Sequence, residues 1–230
     1  KNKGIVKTIK FKDPKYVGDP INTVRIFNEK EVDELIILNI MATKDETELD
    51  YKLIKDLAYE CRMPLCYGGG VKTVDQFVKL ISLGVEKVAI CTSAVENEYL
   101  IKDASNIVGS QSVVACIDLK KKYLSKKYEM YTHNGKKKRE IDPIEFCKKI
   151  EQDGVGEIVL NFIDKDGTME GYEFEFSQKV KNILNIPLTV LGGAGSHADI
   201  SSLFYSLGIV GASAGSLFIF KGKYRAVLVN

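Results

Sequence analysis

Displaced by 123 positions, this chain matches itself at the points that set backbone geometry. Asp19-Pro20 falls on Asp142-Pro143, Glu34 on Glu157, Pro64 on Pro187, Gly69-Gly70 on Gly192-Gly193, and Thr92-Ser93 on Gly215-Ser216. The matched positions are helix starts, strand starts and glycine turns, which share no bias of composition, so chance is a poor explanation. Two duplicated half-units, about residues 1–110 and 111–230 of a single domain, account for them, and each half should supply comparable equipment.

Between the repeat markers, short apolar runs alternate with helical patterns, as in βα units on a parallel sheet. Strands are expected at Leu35–Met41, Met63–Tyr67, Lys87–Cys91, Ser112–Leu119, Glu157–Ile163, Leu188–Leu191 and Ile209–Ala212. Most are continuous Val/Ile/Leu/Ala runs, which suits strands covered on both faces. Asp19-Pro20 and Asp142-Pro143 read as N-caps followed by proline, with Glu145 completing a capping box, and Thr73 with Gln76 and Ser196 with Asp199 repeat the logic. The pattern breaks between Lys120 and Arg139, where Asn134-Gly135 signals a hairpin whose lysines read as a solvated surface. The fold class is α/β, a (β/α)₈ barrel of two half-barrels, and 230 residues suffice for one.

Composition narrows the function classes. A net charge of +2 does not call for a nucleic-acid or membrane-surface partner. No apolar run approaches the roughly 18 residues of a membrane span, and no signal peptide is recognisable. Five cysteines without a C-x-x-C pair read as reduced, mostly buried thiols of a cytoplasmic protein, and two histidines do not make a zinc site. Neither a metal nor a cofactor is expected.

In parallel barrels the working residues lie at the C-terminal ends of strands. Gly68-Gly69-Gly70 and Gly192-Gly193-Ala194-Gly195 each follow a strand and precede a helix, where a close backbone and free amides suit an anion. Thr92-Ser93 and Gly215-Ser216 end the next strand of each half. Two such grips on one rim suit a ligand with a phosphate at each end. Asp118 closes one central strand, and Asp164 and Asp166 follow the next, so carboxylates able to act as general acid or base should stand between the grips.

These motifs together resemble the HisF family. Gly68-Gly69-Gly70-Val71, Thr92-Ser93-Ala94-Val95-Glu96-Asn97, Ala115-Cys116-Ile117-Asp118, Asp164-x-Asp166-Gly167-Thr168-x-x-Gly171-Tyr172 and Gly192-Gly193-Ala194-Gly195 carry the likeness, which runs from Lys1 to Phe220. HisF is the cyclase subunit of imidazole glycerol phosphate synthase. The resemblance implies a barrel paired with a HisH-type glutaminase, whose ammonia crosses the barrel and attacks a bis-phosphate ribotide at the far mouth. It implies catalytic roles for Asp118 and Asp166, a mobile first loop carrying Lys7, and phosphate contacts at Gly69, Gly70, Thr92, Gly192, Gly193, Gly215 and Ser216. It also implies an ammonia gate of Glu34, Lys87 and Glu157 at the opposite mouth.

Three features depart from the family pattern. Its first strand, with the principal catalytic aspartate, should lie upstream of Lys1. Asn39 stands where the biosynthetic enzyme has an aspartate, and Cys91 where it has an asparagine. These departures resemble a HisF-like branch that supplies ammonia for converting an acetamido sugar to an acetamidino sugar in surface polysaccharides. A non-catalytic barrel that binds a phosphorylated metabolite, and the sister HisA-type isomerase, also fit the duplicated plan.

Overall fold

Each βα unit begins where a side chain meets the unpaired amides of a helix start. Asp19 accepts from the Asn22 amide and opens α1 (Pro20–Glu29); Asp50 accepts from Leu53 and opens α2 (Tyr51–Glu60). Thr73 and Gln76 close a reciprocal capping box on α3 (Val74–Ser82). Short α4 (Thr92–Glu96) and longer α5 (Leu100–Val108) follow, and Asp142 caps α6 (Pro143–Gln152) through Ile144 and Glu145. The box expected there does not close, because Glu145 turns to Lys148 instead, at 2.9 Å. After α7 (Glu175–Lys181), Ser196 and Asp199 build a complete box on α8 (His197–Leu207), and one turn, α9 (Ser216–Ile219), follows.

The computed structural model describes residues 4–42, 48–125, 127–221 and 226–227. The chain opens with an antiparallel hairpin, β1 (Ile5–Ile9) and β2 (Lys12–Gly18), where the sequence suggested only a loop. The seven expected strands are β3 (Leu35–Leu38), β4 (Leu65–Gly68), β5 (Lys87–Ile90), β6 (Val113–Lys121), β9 (Glu157–Phe162), β10 (Leu188–Leu191) and β11 (Gly211–Ser213). They pair in parallel in that spatial order. The hairpin at Asn134-Gly135 is β7 (Tyr128–Thr132) and β8 (Lys137–Arg139), appended antiparallel to the end of β6. Near the C-terminus β12 (Phe220–Lys221) and β13 (Ala226–Val227) form a short pair.

Alternation along the strands divides the interior in two. Val113, Ala115, Ile117 and Leu119 of β6, with Ile158, Leu160 and Phe162 of β9, face the helices and join the main core. Val114, Cys116 and Val159 face the axis with Cys66 and Ala89. The axial face is concave, since a single Lys87 ammonium reaches Glu34 beside β3 and Glu157 on β9. The sheet is therefore curled as a (β/α)₈ barrel curls. Among the described residues β3 and β11 end the sheet with one partner each, and a second core of Val17, Phe27, Ile219 and Phe220 packs α1 against the C-terminal segment.

The repeat recurs in the backbone itself. Gly69 and Gly192 have φ of +99° and +108°, and Gly70 and Gly193 have +82° and +99°. The Leu35 amide donates to Pro64 O at 3.0 Å, and the equivalent Ile158 amide to Pro187 O at 3.1 Å. In the outer layer Phe77 is fully buried on α3. Phe77→Ala is expected to lower the unfolding free energy by about 3–5 kcal/mol, measured by urea titration, and a loss below about 1 kcal/mol would contradict this packing.

Candidate functional site

All seven parallel strands point the same way, so the residues at their C-terminal ends share one rim. Asp118 is the first of them to be shaped by its surroundings. It belongs to the axial phase of β6, is 7% exposed, and pairs in register with Asn161 of β9. The Asn161 Nδ2 donates to Asp118 Oδ1 at 2.8 Å. Burial lifts the Asp118 carboxyl to about 7; hydrogen bonds from Asn161 and the Cys91 thiol oppose the shift, and the nearby Asp166 charge adds to it. Neutral donors hold this carboxylate and leave it ionisable near neutrality.

Asp166 is held differently. Thr8 Oγ1 donates to its Oδ2 at 2.7 Å, and the Phe11 amide does so at 3.4 Å. Lys7 Nζ lies 4.0 Å from Oδ1, and the Lys10 amide donates to the Asp166 carbonyl at 2.9 Å. The first hairpin thus lies across the rim and pins Asp166. Asp164, which strand-end position alone did not separate from Asp166, instead accepts from the Lys121 amide at 2.7 Å. It fixes the hairpin extension of β6 and takes no place beside Asp118.

One pocket gathers Lys7, Asp166, Gly192, Gly193, Gly215 and Ser216. A Cβ on Gly193 would stand 2.1 Å from the Gly171 carbonyl, and one on Gly215 would stand 2.7 Å from Lys7 Nζ. The first position needs glycine for backbone approach, whereas a side chain at the second would displace the Lys7 ammonium. Gly69, Gly70 and Thr92 lie at the ends of β4 and β5, outside this pocket. Gly69 packs on the Asn39 carbonyl, where a Cβ would be 2.2 Å away. The second hairpin reaches this side of the rim, because the His133 amide donates to Thr92 Oγ1 at 3.1 Å and Asn134 donates to Ile40 O. Its lysines are largely neutralised, with Lys138 3.0 Å from Glu129 and Lys137 3.7 Å from Glu96. The Asn39 Oδ1 accepts from the Met41 and Ala42 amides.

At the N-terminal end of the barrel, Lys87 Nζ lies 2.6 Å from Glu34 Oε2 and 2.8 Å from Glu157 Oε2. Thr189 Oγ1 donates to Glu157 Oε1 at 2.7 Å. Burial works against the Lys87 charge, but hydrogen bonds to Glu157 and Glu34 outweigh it and hold the ammonium above the usual lysine range. The Glu34 carboxyl is lifted by burial against the pull of Lys87. Above this ring the Cys66 and Cys116 thiols are pushed up by burial, so they stay protonated.

Residues 1–225 match the family model described as histidine biosynthesis protein. The chain belongs to that family. A Vibrio vulnificus protein with the provisional name imidazole glycerol phosphate synthase subunit hisF3 is 54% identical over 230 residues, covering 100% of this chain and 88% of the relative. A Leptospira interrogans relative, provisionally named subunit HisF of the same synthase, is 52% identical over 227 residues, 99% of this chain and 89% of its own length. The Petrotoga mobilis imidazole glycerol phosphate synthase subunit HisF is 37% identical over 222 residues, 96% and 87% of the two chains.

For this histidine biosynthesis protein, the residues that sequence reasoning missed are those that hold the acids. Asn161 and Cys91 serve Asp118, and Thr8 serves Asp166. The available signal was phase, since Asn161 is a polar residue on the axial side of a strand whose other residues beyond Glu157 are apolar. The buried carboxylate also sets a pH-dependent stability. A carboxyl raised from 3.8 to about 7 on folding binds its proton more tightly in the folded chain, so stability falls as pH rises from about 4 to about 7. Asp118→Asn removes this cost, which reaches about 4 kcal/mol. The variant is expected to unfold at higher denaturant than the parent at pH 8 and at nearly the same concentration at pH 4; equal midpoints at both pH values would contradict the raised carboxyl.

Proposed function

We propose that this chain is the cyclase subunit of an imidazole glycerol phosphate synthase, acting in the cytoplasm with a HisH-type glutaminase subunit. Glutamine-derived ammonia enters past Glu34, Lys87 and Glu157 and rises along the barrel axis. At the opposite mouth it attacks a ribulosyl-formimino-aminoimidazole carboxamide ribotide carrying two phosphates. The products are imidazole glycerol phosphate and an aminoimidazole carboxamide ribotide. The relatives named HisF support this reading across nearly the whole chain.

The observation that carries the proposal is the unlike pair of carboxylates at one mouth. Asp118, near neutrality and held by neutral donors, is suited to take and return protons during ring closure. Asp166, beside Lys7 and Thr8, is suited to position the ligand and stabilise charge. Gly192, Gly193, Gly215 and Ser216 with Lys7 take one phosphate, and Gly69, Gly70 and Thr92 take the other. Two ends held on one rim bring the reacting centre between the carboxylates and remove the entropy of finding that position.

Two measurements test the reading. With saturating ammonium and the bis-phosphate ribotide, Asp118→Asn and Asp166→Asn are each expected to lower kcat/KM by about 100-fold or more; activity indifferent to both would remove the assignment. In the complex with the glutaminase, Lys87→Met should leave ammonium-driven turnover near the parent value while glutamine-driven product formation falls about 10-fold, a coupling loss of about 1.4 kcal/mol. An equal loss with both nitrogen sources would place Lys87 in the fold and not at the entrance.

A further inference from the structure

Among the described residues, the Asn161 Oδ1 is the buried side-chain polar atom left without a hydrogen-bond partner. An orphan acceptor of this kind is costly in a protein interior and is retained where something else satisfies it. Asn161 is 6% exposed, and its other amide atom is committed, with Nδ2 donating to Asp118 Oδ1 at 2.8 Å. The side chain is therefore fixed in orientation by Asp118 while its carbonyl oxygen is unclaimed.

Its level in the barrel decides which donor it awaits. In register, Glu157 stands with Val114, Val159 with Cys116, and Asn161 with Asp118. Glu157 belongs to the charged ring at the bottom. Cys116 and Val159 stand one level above it, in a buried axial cluster that also holds Ala89 and Val114. Thr189, at the level of Val159, turns its hydroxyl down to Glu157. Something small that passed the ring and this apolar layer would next meet the Asn161 amide.

We propose that Asn161 is the residue that receives ammonia at the top of the axis, accepting an N–H of ammonia at Oδ1 beside Asp118. The inference rests on the ammonia-using reading given above. An amide oxygen accepts from N–H without carrying a full negative charge, so it favours ammonium far less than a carboxylate would and suits neutral ammonia. That distinction matters because ammonium has no lone pair and cannot attack. The Nδ2 contact occupies Asp118 Oδ1, so the amide stands beside the carboxylate with its oxygen unclaimed. Asn161 is then a binding and positioning residue for the nucleophile, separate from the phosphate grips.

The test uses the isosteric pair Asn161→Val and Asn161→Thr, two β-branched residues that suit a strand and differ in one hydroxyl acceptor. Steady-state kinetics of the full chain are measured with ammonium chloride varied at saturating bis-phosphate ribotide, and then with the ribotide varied. Asn161→Val is expected to raise the KM for ammonia about 10-fold with the ribotide KM within about 2-fold of the parent. Asn161→Thr should recover most of the ammonia KM. Equal ammonia KM values for the parent and both variants would overturn the inference, as would parallel losses in Val and Thr, which would mark a role in shape alone. If Val does not fold, a parent-like ammonia KM in Asn161→Ala overturns the proposal and a KM raised as for Val supports it. A parent protein with no ammonium-dependent turnover would instead overturn the underlying function, and this inference with it.

Discussion

The Asp118 carboxylate is held out of water at the top of the barrel with no cation against it among the described residues. That single constraint organises the mouth. Burying a carboxylate is costly unless it is paired, and the usual partner is a lysine or arginine. Here the nearby cation, Lys7, stands instead against Asp166 and the Gly215 cradle. Asp118 receives only an amide N–H and a thiol, which hold its geometry without locking its charge. Two carboxylates on neighbouring strand ends are thereby given unlike chemistry, one titrating near neutrality and one anchored by a hydroxyl and an ammonium. A lysine moved to Asp118 would bring its proton affinity down and abolish the difference.

Duplication gave the two halves the same scaffold but not the same charges. Helix caps at Thr73 and Ser196, left-handed glycines at Gly69 and Gly192, and strand-start bonds at Leu35 and Ile158 recur in step. The cradles nevertheless differ where Thr92 is replaced by Gly215. Thr92 has a hydroxyl, and the second hairpin caps it through the His133 amide. Gly215 has no side chain, and the vacated space holds the Lys7 ammonium. One cradle is finished by a neutral contact and the other by a cation, so in the proposed reaction a ligand with two similar phosphates would meet two unequal seats. Such inequality can set the direction in which a long ligand lies, which a symmetric pair of seats could not do.

Much of this was legible in the sequence because it follows from local rules. The seven parallel strands, the glycine turns and the capping residues are each specified by a few adjacent side chains, and the repeat doubled the signal. What escaped was non-local or carried by unremarkable residues. The first hairpin turns at Lys10 and Phe11, both at positive φ, without the Asn-Gly or Asp-Gly pair that marked the second. Its strands are held by contacts to Asp166, more than 150 residues away in sequence. Position at a strand end does not distinguish Asp164 from Asp166; the family resemblance picked Asp166, and the Lys121 amide shows Asp164 to be the strut. The second hairpin read as solvated surface, yet its tip reaches the rim through His133 and Asn134.

The axial face explains why a parallel barrel can carry ammonia in the proposed reaction. Strand alternation stacks three unlike layers within a few residues, with Glu34, Lys87, Glu157 and Thr189 below, Cys116 and Val159 between, and Asp118 with Asn161 above. Among the described residues the lower ring contains one cation and two carboxylates, a balance that in the proposed reaction would draw ammonium towards the entrance. The middle layer offers small apolar groups and thiols that burial keeps protonated, and a bare ammonium entering it would lose its hydration without compensation. Neutral ammonia loses far less. In the proposed reaction desolvation therefore favours leaving the proton on water or a ring carboxylate, and ammonia arrives above in the form that can attack.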